Sequence, residues 1–261
     1  MEVVSPLVGQ EARGLEGLHL YHYGLSNCSQ KVRMVLAEKG LGWANHHVDL
    51  TKAEHRTDEY RRIHPNGVVP ALVDNGTIVI ESSDIMEYLD ERFPNPPLRP
   101  YTEHDLMQMR TWVARQDSIQ RAYLILSSEF VFKAIGVSNG AAPSRSTIAG
   151  AVRTVNEALA ELNRHMCERT WLAGNALSLA DIAWVVDVHR FAVMHVPMFP
   201  YPNLRAWYRR MRKLTSFRQA VLAYEPSGFR RRVDLYTCRR WLTGSHVGSP
   251  RWRKPQFLAN S

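Results

Sequence analysis

The chain has 261 residues, 45% of them hydrophobic, and 33 Lys and Arg against 25 Asp and Glu give a formal net charge of +8. That is ample apolar material for a buried core in one large or two ordinary domains, which excludes a disordered chain or a disulfide-stapled miniature. No apolar run approaches the roughly 18 residues of a membrane span.

Met1 to Gly14 mixes Glu2, Glu11 and Arg13 with Pro6 and Gly9, unlike the basic start and apolar run of a secretory signal. The expectation is a cytoplasmic protein with a frayed N-terminal extension over 1–17 and no membrane partner. Cys28, Cys167 and Cys238 are an odd, scattered set, which suits a reducing compartment. The sequons at Asn27 and Asn75 are then chance matches. Arg230 to Lys254 carries eight Lys and Arg opposed by Asp234 alone, so the body before it is close to neutral. Nucleic acid is therefore not an expected partner, and residues 226–261 read as a solvated basic C-terminal extension.

Leu18 to Tyr23 alternates like a short strand and Gly24 ends it. Ser26 or Asn27 can cap a helix carrying Val32, Val35 and Leu36 and stopped by Gly40. Residues 43–50 make a second strand, and Lys52 to Arg62 a polar loop with a short helix. Val68 to Val73 and Thr77 to Ile80 flank Asp74-Asn75-Gly76, a strong hairpin signal. Glu81-Ser82-Ser83 then opens a helix through Phe93, closed by Pro94, Pro96 and Pro97. This β-α-β-α-β-β-α order within 18–95 has the size of a thioredoxin-type domain. After the 94–100 linker only helical spacing recurs, over Met107 to Lys133, Thr147 to Met166, Leu179 to Val193 and Leu204 to Tyr224. The fold class is α+β followed by an all-α domain over 102–225.

Three constellations carry chemistry. Ser26-Asn27-Cys28 opens a helix straight after a strand, where free N–H groups and the positive dipole end stabilise an anion. A hydroxyl there can donate to a sulfur anion, although Ser26 or Asn27 also serves as a plain N-cap and Cys28 as a small buried residue. Val69-Pro70 enters a strand, where Pro fits at the first position or with a cis bond that leaves the Val69 backbone open to an extended ligand. Glu81-Ser82 at a strand–helix junction suits the ammonium and carboxylate of an amino-acid end, or simply caps the helix. His46 and His47 are adjacent on a strand and face opposite ways, so no metal is expected there. His189 and His195 read as core or pocket residues.

In their order and spacing these three constellations are similar to the glutathione transferase superfamily over residues ~18–225. Ser26-Asn27-Cys28 resembles the zeta-class Ser-Ser-Cys signature. Val69-Pro70-Ala71-Leu72 and Glu81-Ser82-x-x-Ile85 resemble the family's glutathione site, and Ser178-Leu179-Ala180-Asp181 its buried N-capping box, with Leu177 and Ile182 as the staple. Residues 179–184 and 202–208 look like the tetrachlorohydroquinone dehalogenase branch, and 63–70 like bacterial β-aryl etherases. Asn27 departs from the second Ser of the zeta signature, which weakens a maleylacetoacetate isomerase assignment.

The resemblance implies glutathione as cosubstrate, its thiolate held by Ser26, its cysteinyl backbone paired with Val69, and its γ-glutamyl end bound by Glu81 and Ser82. It also implies a hydrophobic second substrate near Tyr123, Phe130 and Phe132, and a homodimer or a heterodimer with a related chain. The expected activity is thiolate attack on an apolar, aromatic electrophile, as in β-aryl ether cleavage or dehalogenation. Two alternatives stand beside it: a Cys28-dependent reductive dehalogenase or thiol–disulfide enzyme, and a non-catalytic subunit or scaffold.

Overall fold

The computed structural model describes residues 12–137 and 142–242. The chain enters through β1 (Leu18–His22), whose residues Leu20, Tyr21 and His22 are all buried, as expected of a strand covered on both faces. It turns into α1 (Asn27–Glu38), which Ser26 caps by accepting from the Ser29 N–H, and Gly40 at φ +63° ends the helix. A short β2 (Ala44–His47), two 3₁₀ turns and α2 (Asp58–Arg61) lead to the hairpin of β3 (Ala71–Asp74) and β4 (Thr77–Ile80). Asn75 (φ 45°) and Gly76 (φ 80°) are both left-handed, the geometry of a type I′ turn. A side chain at Gly76 would also sit 2.3 Å from the Arg13 carbonyl. The sheet order is β2-β1-β3-β4, with β1 parallel to β2 and the other pairs antiparallel. α3 (Ser82–Arg92) completes this thioredoxin-like unit.

The second unit is helical: α4 (Glu103–Ser118), α5 (Gln120–Ser127), α6 (Arg145–His165), α7 (Leu179–Val193), α8 (Pro202–Met211) and α9 (Thr215–Ala220). α7 is buried on every side, the mark of a central helix. Asp181 in its first turn accepts from the Ser178 N–H (3.0 Å) and hydroxyl (2.7 Å), the Leu172 N–H (3.0 Å) and Trp207 Nε1 (2.8 Å). The residue is thus a clasp between α7, α8 and the preceding loop.

Four details differ from the sequence reading. The helix expected over Met107 to Lys133 is broken at Ile119, where the chain closes a 3₁₀-type turn, and beyond α5 it passes through a π-turn (Ser128–Phe132) and a 3₁₀ turn (Lys133–Ile135). The helix expected over Leu204 to Tyr224 is two helices and a 3₁₀ turn, separated at Leu214. Residues 12–17 are not frayed, because Asn75 exchanges two hydrogen bonds with Gly17 and Ala12 is buried. Finally, Phe229–Leu242 forms a helix, α10, rather than a solvated tail, since Phe229, Val233 and Thr237 recur every four residues and are buried. Residues 1–11 of the expected N-terminal extension and 243–261 of the basic one lie outside the described residues.

Candidate functional site

The β1–α1 turn sends three successive side chains to three surroundings. Ser26, half-buried, uses its oxygen to accept the Ser29 N–H at 3.3 Å, and its own hydrogen has no acceptor among the described residues. Asn27 is turned into the contact between the two units. Its Nδ2 donates to Asp187 Oδ1 at 2.7 Å and Gln120 Oε1 at 3.0 Å. Cys28 meets the Ser82 hydroxyl and, at 3.7 Å, Gln120 Nε2. Burial pushes the Cys28 thiol up, against a downward pull from Lys31 and Ser82.

Of the expected site residues, the structure thus brings Cys28 and Ser82 into contact. Ser82 is buried at the start of α3, while Glu81 beside it is exposed at φ +64° and receives Asn66 Nδ2 at 3.4 Å. A non-glycine residue in that region of backbone space is strained, and such strain collects at ligand-binding positions. The Val69–Pro70 bond is cis. Tyr60 donates its hydroxyl to the Val68 carbonyl at 2.7 Å, fixing the approach to β3.

Beneath this turn lies a polar network absent from the sequence reading. Asp187 on α7 accepts from Asn27 and, at 2.5 Å, from Gln116 Nε2. Lys31, fully buried, donates to Gln116 Oε1 at 2.8 Å and approaches Asp117 at 3.4 Å. Desolvation raises the Asp187 carboxyl to about 6 even though Lys31, Asn27 and Gln116 all pull it down. A lone acid inside the apolar run Ile182 to Val188 was the available signal, since a buried carboxylate requires partners.

A cavity of about 620 Å³, within the range of small-molecule sites, is lined by Leu25, the residue before Ser26, but by none of Ser26, Asn27, Cys28, Val69, Pro70, Glu81 and Ser82. Tyr23 and Leu25 from the turn and Thr51 form one side. Ile135 to Val137 form another, and Pro226, Phe229 and Arg232 close it from the tail. Tyr123, Phe130 and Phe132, expected around a second substrate, do not line it. Tyr123 and Phe130 are core, the former edge-on to Phe191. His189 is held by the Tyr208 hydroxyl (2.6 Å) and Glu225 (2.8 Å), and His195 meets Asp234 at 2.8 Å. His46 stacks on Tyr21. Among the described residues no group of three or more His, Cys, Asp or Glu could hold a metal, and no helix is long and apolar enough to cross a membrane.

The family model for the glutathione S-transferase N-terminal domain matches residues 20–97, and that for the C-terminal domain matches 137–210. The chain is 29% identical to glutathione S-transferase Z2 of Arabidopsis thaliana, over 80% of this chain and 92% of that one. It is 30% identical to the probable maleylacetoacetate isomerase 2 of Drosophila melanogaster, over 79% and 88%. The crystal structure of the β-etherase LigF from Sphingobium sp. strain SYK-6 superposes with a TM-score of 0.69 at 26% identity, covering 78% of this chain and 98% of that one.

Proposed function

The chain belongs to the glutathione S-transferase family, and from that premise we propose that it binds glutathione and uses the ionised thiol to attack an apolar, aromatic electrophile. The observation that carries this is Ser26: a hydroxyl at the N-terminus of a twelve-residue helix, its acceptor side occupied and its hydrogen free, next to the residue that begins the cavity wall. A sulfur anion there gains a hydrogen bond and the positive helix end, which together keep it ionised near neutral pH.

The other groups fit the rest of the tripeptide. The Val69 backbone, ahead of β3, pairs with the cysteinyl residue. Ser82 offers its hydroxyl and helix N–H groups to the γ-glutamyl carboxylate, and Glu81 offers its carboxylate to the ammonium. Asn27 acts at one remove, since its amide is committed to Asp187 and Gln120 and so fixes the angle of the turn.

The second substrate occupies the 620 Å³ cavity, with its reactive carbon toward Ser26. Attack forms the sulfur–carbon bond as the carbon–oxygen or carbon–halogen bond breaks, and the phenolate or halide leaves with the electron pair. Similarity to the β-etherase supports an aryl ether as the substrate, with the aryloxide as the leaving group. Mixed-disulfide chemistry at Cys28 is less well supported, because burial holds that thiol in its protonated, poorly nucleophilic form. A non-catalytic role leaves the undonated Ser26 hydrogen and the cavity that begins at Leu25 without a use.

The test is turnover of a chloro-dinitrobenzene, a chlorinated hydroquinone and a β-aryl ether with glutathione, in wild type and Ser26→Ala. Loss of roughly 10²–10³ in kcat/KM in Ser26→Ala is the expected outcome. Inactive wild type with no calorimetric binding of glutathione would leave the scaffold reading standing.

A further inference from the structure

The cavity wall is mixed, with Tyr23 and Thr51 as its uncharged polar residues. Leu25, Ile135, Val137, Pro226 and Phe229 supply hydrocarbon, and Arg232 on α10 is the only charged residue among those lining it. Among the described residues Arg232 makes no ion pair. The acids on neighbouring segments are engaged elsewhere. Glu225 accepts from His189 and from Arg230 Nε at 3.0 Å, and Asp234 meets His195. Asp49, close to Tyr23, accepts from the Thr51 N–H and hydroxyl and pairs with Lys52.

A second cation lies behind the same wall. Arg190 on α7 is 1% exposed and packs between Leu25, whose carbonyl accepts from Nη2 at 2.9 Å, and the Phe229 ring, 5.3 Å away. Its Nε and Nη1 are buried without a hydrogen-bond partner. The acids of its own helix are taken, Asp187 by Asn27 and Gln116, and Asp181 by the capping clasp. An incompletely satisfied buried guanidinium is unfavourable by itself, and it adds positive potential to the inner side of a cavity with no acidic lining residue.

We propose that this cavity selects aromatic molecules that carry a carboxylate or comparable oxyanion, with Arg232 as the counter-charge and Arg190 reinforcing it from behind the Leu25–Phe229 wall. The arene fills the hydrocarbon part, and the guanidinium fork of Arg232 matches a carboxylate through two parallel hydrogen bonds. A neutral arene of the same shape keeps the apolar contacts and gains nothing from either arginine. This deepens the proposed function and rests on it, since the arene is taken to be the second substrate.

The experiment is calorimetric titration of the full chain with 4-phenoxybenzoate and with its neutral isostere 4-phenoxybenzamide, in wild type and Arg232→Gln. Wild type is expected to bind the benzoate about tenfold more tightly than the amide, and Arg232→Gln to erase that preference while holding the amide as before. Raised salt should weaken the benzoate alone. Equal affinities in wild type, a preference that survives Arg232→Gln, or no binding of either compound would overturn the proposal. Glutathione is titrated into the same samples. Its binding, with chloro-dinitrobenzene turnover, alongside equal arene affinities sinks only the anion selectivity. Failure of glutathione to bind, alongside an intact benzoate preference, sinks the transferase reading and leaves the anion site in place.

Discussion

The Asn27 amide donates to the Asp187 carboxylate at 2.7 Å, joining the first turn of the sheet domain's first helix to the centre of the helical domain. Residues 160 apart in sequence therefore share one buried contact. The angle of the Ser26 turn depends on how the two domains sit together.

This contact should be visible in the pH dependence of stability. Desolvation lifts the Asp187 carboxyl from the ordinary carboxylate range to about 6. Because the folded value lies above the unfolded one, its contribution is most favourable below about pH 4 and is lost as pH rises through 6. Urea denaturation of wild type and Asp187→Asn at pH 4.5 and 7.5 should show the difference between them moving against wild type at the higher pH, by up to roughly 2–3 kcal/mol. A difference independent of pH would mean that the carboxylate stays ionised throughout.

Cys28→Ser should retain most of the glutathione-dependent turnover. Cys28 as a residue is half-buried, its sulfur meets Ser82 and Gln120, and burial pushes its thiol up. The replacement hydroxyl keeps both polar contacts. Steady-state assays at pH 7.5 with a chloro-dinitrobenzene should find kcat/KM within about fivefold of wild type, whereas near-total loss would transfer the chemistry to Cys28.

Asp181 is a folding residue, and its removal should cost stability without altering the pH profile of turnover. Asp181→Ala strips acceptors from the Ser178 N–H and hydroxyl, the Leu172 N–H and the Trp207 indole, all at buried positions. The expected loss is about 3–5 kcal/mol in chemical denaturation.

Arg33 should tolerate no substitution, including Lys. It is fully buried with no carboxylate partner among the described residues, donating to the Ala220 and Gly24 carbonyls at 2.9 and 2.8 Å and to His22 Nδ1 at 2.8 Å, with Tyr224 stacked 3.8 Å from its guanidinium carbon. An ammonium cannot span these planar contacts. Thermal unfolding of Arg33→Lys should occur at least about 5 °C below wild type, consistent with a loss of a few kcal/mol.

The parts of this molecule written in local chemistry were readable from the sequence. Asp74-Asn75-Gly76 dictates its own turn, Gly40 stops α1, and Ser178 with Asp181 opens α7 at the expected residue. The break at Ile119 was not readable, since apolar spacing runs on through it and no Gly or Pro marks it. The tail was misread for an electrostatic reason. Consecutive arginines 230–232 dominate its composition, and the buried stripe of Phe229, Val233 and Thr237 is only one residue wide. The candidate site divided the same way. Ser26, Glu81 and Ser82 sit at element junctions that sequence can locate, whereas Gln116, Asp187, Arg190 and the cavity wall come together only through tertiary packing, of helix on helix and of one domain on the other.

The placement of α10 has a consequence for how such a chain can diversify. Pro226, Phe229 and Arg232 close the cavity from beyond residue 210, where the match to the family's C-terminal domain ends, while Ser26, Val69 and Glu81 lie far upstream within the N-terminal match. On the proposed function, sulfur activation falls within the N-terminal match, while the cavity is shared between that match (Tyr23, Leu25, Thr51) and the tail. Exchange of the 3′ end would then replace one wall of the cavity and leave Ser26 in place, and a graft of this tail onto a shorter relative becomes a direct test of what that wall contributes to selectivity.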